Sequence, residues 1–163
     1  MRIAYRVWQF WQALTARPPA EAPAELGPGL RELYKAMPRA DRAHAQRTAR
    51  ALRASSPLPV PRDLIVAALL HDVGKSERGI SLRDRVLYVL IDRCAPRQLD
   101  RCSGGLAALR DHAELGARRV AEAGAGAEVV ELIRRHHADP AQLPWPEARR
   151  ARLAALQRAD EVS

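Results

Sequence analysis

Three clusters of prolines divide this sequence into short segments and so limit the structures that it can adopt. The clusters lie at residues 18–23, 57–61 and 140–146. Because proline has no backbone N–H and a fixed φ, it interrupts helices and central strands alike. Between the clusters, apolar residues recur at the three- and four-residue spacing of a buried helix face, and no segment shows a convincing strand-like alternation. The sequence therefore predicts an all-α fold.

The helix boundaries follow from the same signals. Pro38 suits the first turn of a helix, Pro61 opens an apolar one, and Gly74 stands where a glycine often ends a helix. We expect helices over residues 29–37, 38–54, 62–72, 82–93, 106–123, 127–138 and 147–162, with an irregular or short helical connection at 96–105. A chain of 163 residues, 47% of them hydrophobic, can bury the core of one domain.

The first segment differs from the rest in its aromatic and basic content. Residues 2–16 predict an amphipathic helix that carries arginines and no acidic residue. Residues 17–25 predict a proline-rich linker, which divides the chain into an N-terminal part, 1–25, and a helical domain, 26–163. Two alternatives remain for the helix: peripheral contact with an anionic membrane, or packing against the domain or a second copy of the chain. We prefer the second.

The formal net charge of +8 favours anionic partners without choosing among them. All the basic residues except Lys35 and Lys75 are arginines, and they are spread along the whole chain, which argues against a nucleic-acid-binding patch. No apolar run reaches the ~18 residues of a membrane span, and no secretory signal is visible. Cys94 and Cys102 fit neither a C-x-x-C motif nor a disulfide-rich scaffold. We therefore expect a cytoplasmic protein.

Histidines and aspartates form the most informative pattern in the chain. His71 and Asp72 follow an apolar run, and a helix end near Gly74 would let both side chains face one site, although neighbouring helical residues point about 100° apart. Taken singly, each histidine is explained more simply as a core or surface residue. Taken together, the residues recur in order on five predicted helices: His44, His71-Asp72, His112, His136-His137 and Asp160.

This ordered pattern resembles that of the HD-domain superfamily of metal-dependent phosphohydrolases. The resemblance covers about three quarters of the chain, from His44 onwards. It is closest to the subset with an H-D-[IV]-G-K signature, which here reads His71-Asp72-Val73-Gly74-Lys75. No Gly-Tyr-Pro motif follows, which separates the chain from the cyclic-di-GMP subfamily that this motif marks. The resemblance implies that residues 26–163 form an HD-domain helical bundle, with the amphipathic helix as an addition.

The resemblance also implies a metal site. Its ligands, carried over residue by residue, are His44, His71, Asp72, His112, His136, His137 and Asp160. The first metal would be held by His44, His71, Asp72 and Asp160, and a second, bridged through Asp72, by His112 and by His136, His137 or both. Imidazole and carboxylate ligands suit divalent iron, manganese, zinc, cobalt or nickel. The sequence leaves open which metal binds and whether one or two ions are present.

The remaining motif residue points to phosphate chemistry. Lys75 matches the family lysine that contacts a substrate phosphate, and Arg78 is a second candidate for that contact. The predicted catalytic residues are therefore Asp72 and Lys75. We expect a phosphomonoesterase or phosphodiesterase that hydrolyses a nucleotide or another small phosphate ester. Two alternatives share the same scaffold: a di-iron oxygenase, and a non-catalytic HD module that binds a nucleotide. Lys75 and the positive net charge favour the phosphohydrolase.

Overall fold

The computed structural model describes residues 21–76, 80, 82–94, 98–99 and 102–163. Its helices are α1 (Pro28–Ala36), α2 (Arg39–Ala54), α3 (Arg62–Leu70), α4 (Leu82–Cys94), α5 (Gly104–Arg110), α6 (His112–Glu122), α7 (Ala127–Arg134) and α8 (Glu147–Glu161). Short 3-10 turns lie at Val73–Ser76 and Pro140–Gln142, and residues 98–99 are also in 3-10 conformation. The described residues contain no strand, which confirms the predicted all-α fold. No helix among them is long and apolar enough to cross a membrane.

Helix α3 forms the centre of the bundle. Every residue from 64 to 70 is buried, and the helix packs against α2, α7 and α8. A helix that is apolar on all sides requires neighbours on every face, and here they include Leu132 of α7 and Leu153 of α8. Because α3 runs through the core, the residues that follow it, His71 and Asp72, are also placed inside the domain, where both are buried.

Four of the helices lie within one residue of their predicted ends. These are α1, α2, α4 and α8. The predicted helix at residues 2–16 lies outside the described residues, and the predicted linker at 17–25 is described only from Glu21 onwards. The predictions for these segments therefore stay predictions.

Three predicted helices were wrong at a histidine. The helix predicted at 62–72 ends at Leu70, the one at 127–138 ends at Arg134, and the one at 106–123 is two helices that meet at a bend at Asp111. In each case the imidazole Nδ1 of the histidine beside the break lies within hydrogen-bonding distance of the carbonyl oxygen three residues earlier. The imidazole N–H thus donates to a carbonyl oxygen that, in a continuing helix, would accept from a backbone N–H four residues later.

Gly74 has a different role from the one that the sequence indicated. Its φ is not positive, so it is not a left-handed helix cap. A Cβ atom at this position would lie 2.0 Å from the carbonyl oxygen of His112 and 2.8 Å from the backbone nitrogen of Gly116. Only a glycine lets the turn at Val73–Ser76 lie this close to the backbone of α6. The contact brings Asp72 next to His112.

The close approach predicts that Gly74→Ala is strongly destabilising. The new methyl group would meet backbone atoms, which cannot rotate away, so we expect the free energy of unfolding to fall by about 3 kcal/mol. Urea denaturation followed by circular dichroism measures the change. Gly126→Ala is the matched control, because nothing lies within 4 Å of a Cβ there. Equal denaturation midpoints for the two variants would show that the contact is not tight.

Candidate metal centre

The structure brings the predicted ligand residues together in two groups. His44 on α2, His71 after α3 and Asp160 on α8 form the His44 group, whose ligand atoms all lie within 4.8 Å of one another. The second set lies on α6 and just after α7, and its ligand atoms are equally close. It consists of His112, His136 and His137, and we call it the His112 group. Each group has the size and donor atoms that could hold a metal ion.

Asp72 lies between the two groups. Its Oδ1 is 3.5 Å from His112 Nε2 and 3.9 Å from His136 Nε2, both in the His112 group. Its Oδ2 is 3.7 Å from His71 Nε2 in the His44 group and 2.8 Å from Lys75 Nζ. One carboxylate thus presents an oxygen to each group. This is the position that a ligand shared by two ions requires.

Three histidines are oriented by their own backbone. The Nδ1 atoms of His71, His112 and His136 lie 2.9, 2.6 and 2.7 Å from the carbonyl oxygens of Ala68, Leu109 and Ile133. A carbonyl can only accept, so each Nδ1 carries a hydrogen and donates it. In the neutral imidazole this leaves a lone pair on Nε2. The same hydrogen bond therefore fixes both the ring and the tautomer that a metal needs.

The nitrogen atoms so exposed face one another. His112 Nε2 lies 3.3 Å from His136 Nε2 and 3.1 Å from His137 Nε2. Because the Nδ1 atoms of His112 and His136 hold the ring hydrogens, their two Nε2 lone pairs point at each other when both rings are neutral. Such an arrangement is repulsive unless a cation lies among the nitrogens.

Two buried atoms test whether a cation fits. Within the part of the chain that the structure describes, His71 Nε2 and Asp72 Oδ1 have no hydrogen-bond partner. His71 Nε2 lies 3.3 Å from Asp160 Oδ1, but without hydrogen-bonding geometry. Leaving a buried polar atom unsatisfied costs about 1–3 kcal/mol. A divalent metal coordinated by these atoms would remove that cost, so the residues fit the ion.

Neighbouring charges keep the carboxylates of Asp72 and Asp160 ionised. Burial would raise the pKa of Asp72, but Lys75 and His71 hold it well below its usual value. Burial would also raise the pKa of Asp160, yet contacts with His44 and His71 lower it far below its usual value. In return, the two carboxylates raise the pKa of His71 to about 9, although burial opposes this. The aspartates thus draw positive charge to this part of the site.

The His112 group has the opposite electrostatic character. Burial, reinforced by the nearby His137, lowers the pKa of His136 well below its usual value. Burial and His112 together lower the pKa of His137 to about 4. Both rings are therefore neutral at pH 7, and neutral imidazole is the form that coordinates a metal.

The structure describes only one of the two predicted phosphate-binding residues. The Lys75 ammonium lies at the edge of the centre, beside Asp72, and a quarter of its side chain is exposed. Arg78 lies outside the described residues, so its predicted role stays a prediction.

The residues of this centre lie within a segment that matches a known protein family. The model of the family described as HD domain matches residues 42–163, which is about three quarters of the chain and includes every predicted ligand. The chain belongs to the HD-domain family. The HD-domain family binds divalent metals, and its members are commonly metal-dependent phosphohydrolases. None of the curated proteins and none of the solved structures match the chain. The match begins inside the predicted domain at 26–163, so that boundary stays a prediction.

Sequence reasoning missed three residues that support the centre of this HD domain. The Ser163 hydroxyl lies 3.2 Å from His44 Nδ1 and 2.9 Å from the Thr48 hydroxyl. Gln157 Nε2 donates to the carbonyl oxygens of His136 and Ala138, at 3.0 and 2.7 Å, and so ties the segment after α7 to α8. The only available signal was spacing, since each of the three lies three or four residues from a predicted ligand in the same helix or at its end.

Asp72→Asn should remove metal binding by this centre, because the substitution removes the charge that lies between the two groups. We expect Mn²⁺ or Zn²⁺ at 100 times its Kd to stabilise the original protein by about 2.7 kcal/mol and the variant by much less. The measurements are thermal unfolding with and without metal, and bound metal per chain. Asp111→Asn is the control, since Asp111 neighbours His112 in sequence but is exposed and paired with Arg110. Equal metal content in the two variants would contradict a role for Asp72.

Proposed function

We propose that this protein is a metal-dependent phosphohydrolase that acts on a small phosphate ester, with nucleotides as the substrate class. The observation that carries the proposal is the position of Lys75. Its Nζ lies 2.8 Å from Asp72 Oδ2, beside the two groups that could hold metals, and its side chain reaches solvent. A fixed cation at this place suits an anionic substrate. This favours the phosphohydrolase over an oxygenase on the same scaffold.

The centre is partly exposed to solvent. The side chains of His44, Lys75 and Asp160 are each about a quarter to a third exposed and His137 is exposed, whereas the side chains of His71 and Asp72 are almost fully buried. A substrate would therefore approach past the exposed side chains. Lys75 is the cation among them that a phosphate group would meet on this path.

The residues of the chain divide the chemistry between them. We propose His44, His71, Asp72, His112, His136, His137 and Asp160 as the metal ligands. When bound, divalent metals lower the pKa of water and polarise phosphoryl oxygens. Asp72 remains ionised beside Lys75, so it can present one oxygen to each group. The rings of His112 and His136, whose Nδ1 hydrogens are bound to carbonyl oxygens, would hold their Nε2 lone pairs in place before any ligand arrives.

Lys75 would act on the substrate itself. An ammonium group has three donors, so it can keep its contact with Asp72 and still donate to a phosphate oxygen. Negative charge shifts among the phosphoryl oxygens as the bond to the leaving group breaks. A cation fixed beside them stabilises that state without having to reorganise. The net charge of +8 adds a long-range attraction for polyanionic substrates such as nucleotides.

Lys75→Met should lower kcat/KM for phosphate-ester hydrolysis by about 100-fold, because one fixed donor to the reacting phosphate is lost. The assay uses bis-p-nitrophenyl phosphate and a panel of nucleotides, with protein loaded separately with Mn²⁺, Fe²⁺, Co²⁺, Ni²⁺ or Zn²⁺. The variant should still bind metal, since Lys75 is not a ligand.

The chain offers a closely matched control. Lys35, the only other lysine, also pairs with an acidic residue three positions before it, Glu32, but it lies on the exposed surface of α1. Lys35→Met should therefore leave hydrolysis unchanged. Failure of the original protein to hydrolyse any phosphate ester with any of these metals would overturn the proposed function.

A further inference from the structure

His44 is oriented in a different way from the histidines held by their own backbone. His71, His112 and His136 each donate Nδ1–H to a carbonyl three residues earlier. The Nδ1 of His44 instead lies 3.2 Å from the hydroxyl oxygen of Ser163, which is distant in sequence. The orientation of His44 thus depends on a side chain and can be changed by a single substitution.

The Ser163 hydroxyl is part of a buried network. Its oxygen lies 2.9 Å from the Thr48 hydroxyl and 3.0 Å from the backbone carbonyl oxygen of Asp160. The Thr48 hydroxyl in turn lies 3.2 Å from the backbone carbonyl oxygen of His44. Ser163 is 5% exposed and Thr48 is fully buried, so neither hydroxyl competes for these partners with bulk water. Ser163 therefore joins the two helices that carry His44 and Asp160.

When Nε2 of His44 coordinates a metal, the donors and acceptors of the network fit the tautomer of His44 that carries its hydrogen on Nδ1. The Asp160 carbonyl can only accept, so the Ser163 hydroxyl donates its hydrogen there. The Ser163 oxygen then accepts from His44 Nδ1–H, and the single hydrogen of the Thr48 hydroxyl is shared between the Ser163 oxygen and the carbonyl oxygen of His44. With its hydrogen on Nδ1, His44 presents a lone pair on Nε2. That atom lies 2.7 Å from Asp160 Oδ1, so a bound metal would be faced by the lone pair and by the carboxylate oxygen, whereas without a metal the same distance suits a hydrogen on Nε2 that is donated to Asp160.

We propose that Ser163, supported by Thr48, is a positioning residue that sets the metal-binding tautomer of His44. The inference rests on the proposed function only in that the His44 group must hold a metal. The inference goes beyond the proposed function because it assigns a role to Ser163 and Thr48, which the proposed function does not use. Because Ser163 contacts both His44 and the backbone of Asp160, its loss should weaken the His44 group and leave the His112 group unchanged.

Ser163→Ala, compared with Ser163→Thr, tests this assignment. The probe is Zn²⁺ alone, with affinity measured by competition with a chromophoric chelator. The nitrogen chemical shifts of the His44 ring, in Zn²⁺-loaded protein labelled with ¹⁵N-histidine, report the tautomer directly. We expect Ser163→Ala to weaken one class of Zn²⁺ site about tenfold and to mix the tautomers of His44. Ser163→Thr, which keeps the hydroxyl, should restore both.

Ser55→Ala is the matched control, since the Ser55 hydroxyl also caps a backbone carbonyl, that of Leu52, but far from the centre. It should bind Zn²⁺ like the original protein. If Ser163→Ala does not fold, Thr48→Val and Thr48→Ser give the same comparison, with loss expected for valine and retention for serine. Unchanged affinity and an unchanged His44 tautomer in the variant without the hydroxyl would overturn the inference. Neither readout uses catalysis, so a protein that shows the Ser163 effect but hydrolyses nothing would refute only the proposed function.

Discussion

The rest of this structure is arranged around a buried cluster of imidazole nitrogens and carboxylates at the end of its most apolar helix. These groups repel one another unless a cation lies among them. His112 and His136 face each other through Nε2 atoms 3.3 Å apart, and Asp72 is buried beside them. An apolar core does not stabilise such a cluster, because burial removes the water that would satisfy it. A divalent cation would turn the same contacts into attraction, so we expect folding of this region to be coupled to metal binding.

The close packing of the bundle explains how the cluster can form at all. Helix α3 is buried on every face, so the polar residues that follow it, His71 and Asp72, are buried too, and the turn after Leu70 brings them next to other polar groups. The turn succeeds because Gly74 lies against the backbone of α6 and leaves no space for a Cβ atom. Asp72 is thereby carried to the start of α6, where His112 begins the helix. The signature His71-Asp72-Val73-Gly74-Lys75 is thus a packing motif as well as a set of chemical groups.

The sequence predicted which segments are helical better than it predicted where they end. Proline clusters and apolar periodicity are strong local signals, and they located α1, α2, α4 and α8 within one residue. The errors at His71, His112 and His136 arose because a ring N–H bound to a carbonyl leaves no trace in a hydrophobic pattern. The order of the histidines and aspartates indicated the HD-domain family, and the structure brings those residues together. Ser163 and Thr48 escaped notice because a hydroxyl is informative only once its partner is known.

The two halves of the centre differ in what fixes them, and this difference has a consequence. In the His112 group, the rings of His112 and His136 are held by carbonyls, which every residue type supplies, so substitutions nearby leave the ring orientation intact. In the His44 group, the ring of His44 is held by the hydroxyl of a residue distant in sequence, whereas the ring of His71 is held by a carbonyl. We infer that the ring orientations of His112 and His136 are determined by the fold, whereas that of His44 can be tuned by single substitutions. Variation in metal affinity within this scaffold should therefore arise at His44 and the hydroxyl groups that orient it.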